Sequence, residues 1–296
     1  MKDGENEPII TIGLPAYNGE KTIKRTIDSI LSQTVSNFKL IISDDGSIDS
    51  TPKICREYEQ KDDRVKYIQK EKNEGWIWNW IFLAEKAYTK YFVWISQDDY
   101  WESKFIEKNI DVLEKNLEIV CSISDIQLIG PNIKNYFSDQ EKINSNYSQR
   151  KLKIVRQVKG TYEEKIKNVL EFNWIINLYS IFRTEKLKAS LVHDVFVSWD
   201  YALILNIIKF GDLHVLDEVL AYRDTEGVTS MKSMIDSIKT QKLGFFKTYF
   251  PYMTYTIWCL KNLGVRNFIK NISIFKYLII HSQKKIMREF LNQDSK

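Results

Sequence analysis

Apolar residues recur with two different periods along the first 120 positions, and the switches between them mark out alternating strands and helices. Ile9–Leu14 is a near-continuous apolar run, the pattern of a parallel strand covered on both faces. Pro15 and Gly19 then punctuate a loop. Over Glu20–Gln33 the apolar positions Ile23, Ile27, Ile30 and Leu31 keep the i, i+4, i+7, i+8 spacing of one helical face. Phe38–Ser43 is a second apolar run, and Thr51-Pro52 reads as the cap and first residue of a helix to about Gln60. The same logic predicts a strand at Val65–Ile68, a helix at Ile77–Tyr88 and a strand at Tyr91–Ser96. A helix at Lys104–Asn116 and a long β-rich stretch at Ile119–Ile129 follow. This order implies an α/β fold, a mainly parallel doubly wound sheet with right-handed crossovers.

Between Gly130 and about Gly160 the periodicity weakens into Asn, Ser, Lys and Gln, which predicts a long surface excursion. Regular structure resumes with a predicted helix near Tyr162–Glu171, a strand near Leu178–Phe182 and a helix beginning around Trp199. Short strands are predicted near Leu213–Leu216 and Val219–Arg223. Beyond about residue 230 the character changes. From Leu243 to Ile280, aromatic and aliphatic clusters are interspersed with Lys and Arg, predicting two or three amphipathic helices.

At 296 residues there is room for one large domain and an appendage, and charge sharpens that division. Residues 231–296 carry 12 Lys or Arg against 3 Asp or Glu, so within an overall balance of +4 the preceding residues are net acidic. Two compatible readings of the tail stay open: docking on an anionic membrane surface, and packing of its aromatic faces on the rest of the chain or on a second subunit. Basic charge beside aromatics also suits nucleic acid, but no recognised module is present and the body is acidic, so no nucleic-acid partner is expected. Cys55, Cys121 and Cys259 are odd in number and match no metal spacing, which predicts reduced thiols in a cytoplasmic protein. Met1–Glu7 is polar and acidic and reads as no secretory signal. No apolar run nears the roughly 20 residues of a membrane span.

Candidate chemistry concentrates at strand ends. Asp44-Asp45 and Asp98-Asp99 each follow a predicted strand, and ligands of open α/β sheets bind outside the carboxyl ends of strands. Adjacent carboxylates repel unless a cation or donors intervene, so a divalent metal carrying a phosphorylated ligand is the economical resolution. Within Ser43–Thr51, Asp49 and Ser50 suit the N-terminus of the next helix, whereas Asp44 belongs to the end of the strand. Leu14–Glu20 is either an ordinary strand-to-helix turn or a loop gripping a nucleotide, with Tyr17 against the base and Asn18 fixing the turn.

Taken in order, Pro15-Ala16-Tyr17-Asn18, Asp44-Asp45-Gly46-Ser47, Asn73-Glu74-Gly75 and Gln97-Asp98-Asp99 resemble the motifs of the family 2 glycosyltransferases. The resemblance runs from about Ile9 to Ser230 and implies an inverting enzyme of the GT-A fold using a nucleotide-diphosphate sugar, a UDP-sugar by family preference. It implies a catalytic domain over 1–230, with a nucleotide-sugar half at about 9–130 and an acceptor half at about 131–230, followed by a helical extension over 231–296. Residue by residue, it puts the base at Ala16, Tyr17 and Asp44, within a nucleotide site that also takes in Pro15, Asn18, Asp45, Asn73, Gly75 and Asn79. Asp98 would reach the ribose or sugar and share with Asp99 the binding of Mg²⁺ or Mn²⁺, Asp99 being the direct ligand. Ser96 stands where many relatives carry a further Asp. The general base would be Asp200 in Ser198-Trp199-Asp200-Tyr201, a motif that here lacks the preceding Glu. Ala221-Tyr222-Arg223 resembles the Tyr-Arg that closes the domain, but Thr225 stands where relatives commonly have His.

The implied reaction is a single displacement at the anomeric carbon, directed to a glycan, lipid-linked or protein-linked acceptor at the cytoplasmic side, peripheral at the inner face of the cell membrane. A nucleotidyltransferase of similar architecture would need a Gly-rich basic phosphate loop that Leu14–Glu20 lacks. The missing Glu and His leave room for a non-catalytic sugar-nucleotide-binding subunit. Acceptor choice falls to the 130–160 stretch and the surroundings of Trp174 and Trp199.

Overall fold

A computed structural model of the chain describes residues 7–133, 155–171, 176–226, 238–239 and 241–293. Most of the predicted 130–160 excursion, and Trp174, lie outside the described residues. Four apolar runs become parallel strands: β1 (Ile10–Ala16), β2 (Phe38–Asp44), β3 (Val65–Gln69) and β4 (Tyr91–Trp94). They are joined by α1 (Ile23–Leu31), α2 (Thr51–Lys61) and α3 (Trp76–Lys86). A two-residue strand, β5 (Tyr100–Trp101), and α4 (Phe105–Lys115) lead into β6 (Ile119–Ile129). Then come α5 (Tyr162–Glu171), a 3₁₀ turn at Ile176–Tyr179, β7 (Ile181–Arg183), α6 (Thr184–Ser190), α7 (Trp199–Ile207) and β8 (Asp212–Asp224). All eight strands form one sheet in the order β3-β2-β1-β4-β7-β6-β8-β5.

The side-chain alternation of a strand divides the core between the two faces of this sheet. On β4, Phe92 and Trp94 enter the layer formed with α3, α6 and α7, while Tyr91 and Val93 enter the opposite layer with α1 and α4. Much of the aromatic content is used here. Trp80 packs on Trp94 at 5.3 Å between ring centroids, and Phe92 and Phe182 meet Trp94 edge-on at 4.7 and 5.9 Å. The three cysteines are buried free thiols, each pushed up to about 12 by burial and so held as inert thiols.

Three sequence expectations need correction. The predicted strand at Leu178–Phe182 starts later, because Leu178 and Tyr179 belong to the 3₁₀ turn and only Ile181–Arg183 pairs, between β4 and β6. The two short strands predicted near 213 and 219 are one strand, β8. Asp217 and Glu218 break the apolar pattern, but backbone pairing to β6 carries through with register shifts around Asp125. Neither β5 nor α6 is foreseen by periodicity; both are too short to show a period.

The C-terminal segment folds into α8 (Phe245–Tyr249), α9 (Pro251–Asn262), α10 (Val265–Lys270) and α11 (Ile272–Gln293). One face packs on the α7 side of the sheet. Tyr255, Cys259, Leu263 and Phe275 are buried in the same cluster as Phe196 and Trp199. The contact is tied at its rim by ion pairs from Lys247 to Asp194 (2.5 Å) and from Lys270 to Glu163. Of the two readings of the tail, packing on the body of the chain is therefore realised. Among the described residues no helix is long and apolar enough to cross a membrane.

Candidate active site

Parallel pairing of β1 with both β2 and β4 brings three strand ends to one edge of the sheet, with Ala16 beside Asp44 in register. The loops beyond them are laced by backbone hydrogen bonds. Asn18 donates its N–H to Ser47 Oγ (2.8 Å), and its Oδ1 accepts from Ile48 N–H (3.0 Å). Gly19 donates to Thr51 Oγ1 (2.8 Å), and Glu20 and Asp49 bind across to Ser50 and Glu20 backbone N–H groups. Gln97 grips Tyr17 from the third strand end, accepting its N–H at 2.9 Å and donating to its carbonyl at 3.0 Å. A side chain at Gly19 would meet that carboxamide at 2.3 Å, so the lacing needs glycine there. Tyr17 itself stays 44% exposed, its ring available to a ligand.

The first acidic pair divides its labour. Asp44 is buried, its Oδ1 accepting the Ser47 N–H (2.8 Å) and its Oδ2 the Tyr67 hydroxyl (2.6 Å). That bond, with burial as the larger cause, pushes the Tyr67 phenol upward. Asp45 turns the other way, accepting the N–H groups of Glu74 (3.1 Å) and Gly75 (2.9 Å) and pairing with Lys70 at 3.4 Å. It thereby fixes the Asn73–Gly75 loop at the start of α3. Gly46 has φ +79, and a Cβ there would lie 2.8 Å from the Lys72 carbonyl carbon, so this crossing also requires glycine. Asn79 is buried behind the pair, donating to the Ser43 carbonyl (2.7 Å) and accepting from the Ser43 hydroxyl (2.5 Å). Pro15 and Ala16 form the end of β1 beneath Tyr17.

The second acidic pair sits beside two arginines. Asp99 is nearly buried, with Oδ1 accepting the Asp224 N–H at 3.0 Å; Asp98 is half-buried, its carbonyl accepting from Arg25 at 2.5 Å. Burial and then repulsion from Asp98 push the Asp99 carboxyl well above the usual range, and burial raises Asp98 as well. Asp224 adds a third negative charge nearby and pairs with Arg25 at 3.0 Å. Arg223 draws both members of the pair down, and its guanidinium lies 4.6 Å over the Tyr179 ring. A mostly apolar cavity behind Asp99, about 10 Å³ and lined by Ile95, Trp101, Tyr179 and Arg223, has room for roughly one water. The donor set fits a hard divalent cation. Two adjacent carboxylates, both raised by burial, Asp99 also by Asp98 and both by Asp224, would be relieved by it. Among the described residues no cluster of three or more His, Cys, Asp or Glu could hold a metal, so the pair alone would be the protein's contribution.

Asp200 occupies the first turn of α7, where an acidic side chain is favoured by the helix dipole. Burial nevertheless pushes its carboxyl up to about 6, against the lowering influence of the Tyr201 and Asp200 backbone N–H groups and of Arg223. Arg223 thus acts on Asp98, Asp99 and Asp200, which puts the two acidic motifs within range of one cation. Tyr252 of α9 also faces this carboxylate and hydrogen-bonds to Ser198. Ser198 is held at φ +69, so the turn leading into Asp200 is a strained one.

One sequence expectation is revised at this site. Trp199 is fully buried, its indole N–H donating to the Val192 carbonyl at 2.5 Å, so it belongs to the core and not to an acceptor cleft. Thr225, at the position of the missing His, is buried and donates to the Ile129 carbonyl (2.8 Å). Arg25, Lys70, Gln97, Asp224 and Tyr252 escape notice as site residues in the sequence. Gln97 lies within a recognisable motif and Lys70 and Asp224 beside one; Arg25 and Tyr252 reach the site from other segments and carry no local signal.

The mainly parallel sheet flanked by helices, with acidic groups at its strand ends, is an arrangement of the GT-A type. A sequence model described as glycosyl transferase family 2 matches residues 11–167, and the chain belongs to that family. Among curated relatives it is 29% identical over 160 residues to a UDP-Glc:α-D-GlcNAc-diphosphoundecaprenol β-1,3-glucosyltransferase of Escherichia coli, covering 54% of this chain and 56% of that protein. It is 34% identical over 115 residues to a chondroitin synthase of Escherichia coli, covering 38% of this chain and 16% of that one. The chain thus spans little more than half, or far less, of the length of these relatives. In fold it is similar to S. aureus TarS 1–349 in complex with UDP-GlcNAc, with a TM-score of 0.59 at 17% identity over 85% of this chain and 66% of that one. It is also similar to the mannosyltransferase PcManGT from Pyrobaculum calidifontis in complex with GDP-Man and Mn²⁺, with a TM-score of 0.52 at 12% identity over 85% of this chain and 72% of that one.

Proposed function

We propose that this glycosyltransferase is an inverting one, moving a sugar from a nucleotide-diphosphate donor, a UDP-sugar first, to a hydroxyl of a glycan or lipid-linked acceptor. The catalytic domain would be 1–230, with 231–296 as its extension, acting at the cytoplasmic side in polysaccharide assembly. The observations that carry this reading are the acidic groups at the ends of β2 and β4 and Arg223, which lines one cavity with Asp99 and whose charge draws down Asp98, Asp99 and Asp200. They support a site in which the acidic pair and Asp200, a carboxylate of raised pKa, act on one substrate.

Tyr17 would lie against the base, with Pro15 and Ala16 at the end of β1 and Asn18 in the loop after it completing the nucleotide side. Asp44, ordered by Ser47 and Tyr67, would accept from a ring N–H of the base. Asp45 and Asn79 act through the Asn73–Gly75 loop and the end of β2, which they hold. Asp98 and Asp99 would bind Mg²⁺ or Mn²⁺, Asp99 directly; the cation would neutralise the diphosphate leaving group. Asp200, unprotonated, takes the proton of the acceptor hydroxyl as that oxygen bonds to the anomeric carbon. The bond from that carbon to the diphosphate breaks, and the nucleoside diphosphate leaves with its electron pair. A positioned general base of this kind is worth on the order of 10² to 10⁴ in rate.

Asp200→Asn tests the assignment. Transfer should fall by at least a hundredfold while nucleotide affinity, followed by calorimetry, stays within a few-fold. Loss of both together would make Asp200 a structural residue.

A further inference from the structure

The C-terminal helices use one face for packing and leave another that packing does not explain. Eleven of the 17 large apolar side chains exposed among the described residues fall between Phe245 and Met287. On α11 the buried side is Phe275, Ser282 and Ile286, while Tyr277, Ile280 and Met287 lie on the solvent side at 62%, 55% and 61% exposure. Spacings of 3 and 7 residues put those three on one helical face. On α10, Val265 and Ile269 repeat the arrangement at i, i+4, and Phe245 before the turn to α9 is 75% exposed. Scattered single apolar residues need no explanation, but a concentration of them in one short segment does.

Charge identifies the occupant. Residues 241–288 contain nine Lys or Arg and no Asp or Glu. Lys242, Lys247 and Lys270 are engaged with Asn73, Asp194 and Glu163 of the body. The other six, Lys261, Arg266, Lys276, Lys284, Lys285 and Arg288, are exposed and make no ion pair among the described residues. Lys276, Lys284 and Arg288 flank or interrupt the apolar face of α11, where their stems can lie along hydrocarbon while the charges reach outward. A second copy of this chain on the same face would set this basic surface against itself, since a twofold interface is self-complementary. An anionic surface with an apolar interior meets both features.

We infer that the exposed face of α8–α11 is a docking surface for an anionic lipid bilayer. The aromatic and aliphatic side chains enter the headgroup boundary, and the lysines and arginines meet the anionic headgroups. The acidic body faces away from the membrane, so the contact also orients the molecule. The helices lie on the bilayer and do not span it.

Binding is read without any sugar transfer, so the inference stands or falls independently of the catalytic assignment. The full chain is mixed with vesicles of phosphatidylcholine alone and of phosphatidylcholine with phosphatidylglycerol, and the bound fraction is measured by co-sedimentation. Binding should require the anionic lipid and weaken as salt is raised. Each basic residue near such a surface is worth about fivefold in partitioning, so K276E/K284E/K285E should bind at least tenfold more weakly. F245S/F246S should weaken binding at unchanged salt dependence. Both variants alter exposed positions, and an unchanged urea unfolding midpoint checks that the fold persists. The inference is overturned if the wild type ignores phosphatidylglycerol vesicles, or if the lysine variant binds them as the wild type does. It is also overturned if sedimentation velocity shows a dimer that F245S/F246S dissolves.

Discussion

A single carboxylate, Asp200, carries two opposing influences. The helix N-terminus and Arg223 favour its charge, while burial among Tyr201, Tyr252 and Tyr255 opposes it and prevails, leaving it near 6. A base acts only when unprotonated, so kcat/KM should rise as pH increases through about 6 and then level off. A rate falling over the same range would assign the group to an acid role. Asp44 presents a different case, a buried carboxylate ordered by two donors. Tyr67→Phe removes one donor and leaves a buried oxygen short of a partner, at a cost of about 1 to 3 kcal/mol. Urea unfolding of the variant checks this, and nucleotide affinity should fall with it if Asp44 reads the base.

Elements explain which parts of this plan the sequence reveals. β1, β2 and β4 are continuous apolar runs, so their existence, order and acidic ends are all legible, and with them Asp44, Asp45, Asp98 and Asp99. β8 is not, because Asp217 and Glu218 interrupt its apolar pattern while the backbone ladder to β6 runs on past them. Arg25, Asp224 and Tyr252 stay hidden for a related reason: Asp224 meets Asp99 from 125 residues away, and no period records such a contact. The amphipathic tail is legible as helices, but which face packs depends on the body it meets. Phe275 is the test of that packing. It is 1% exposed and stacks on Phe268 at 4.7 Å. Phe275→Ala should cost about 3 to 5 kcal/mol if the tail and body unfold together. A separate early transition with the main one unshifted would show the tail to be an independent unit.

At the scale of the molecule, the fold gathers three strand ends at one edge of the sheet, sets Arg223 where its charge reaches Asp98, Asp99 and Asp200, and hangs a basic apolar face on the far end of the chain. The central claim is that this gathering binds a nucleotide-diphosphate sugar through a cation held by Asp98 and Asp99. Calorimetric titration of UDP, GDP and dTDP, each with Mn²⁺ and again with EDTA, on the wild type and on Asp99→Ala, tests it directly. One nucleotide, UDP first, should bind tightly with Mn²⁺ and lose at least tenfold in affinity on chelation or on loss of Asp99. If no nucleotide bound in any condition, or if binding ignored both Mn²⁺ and Asp99, the donor site described here would be wrong.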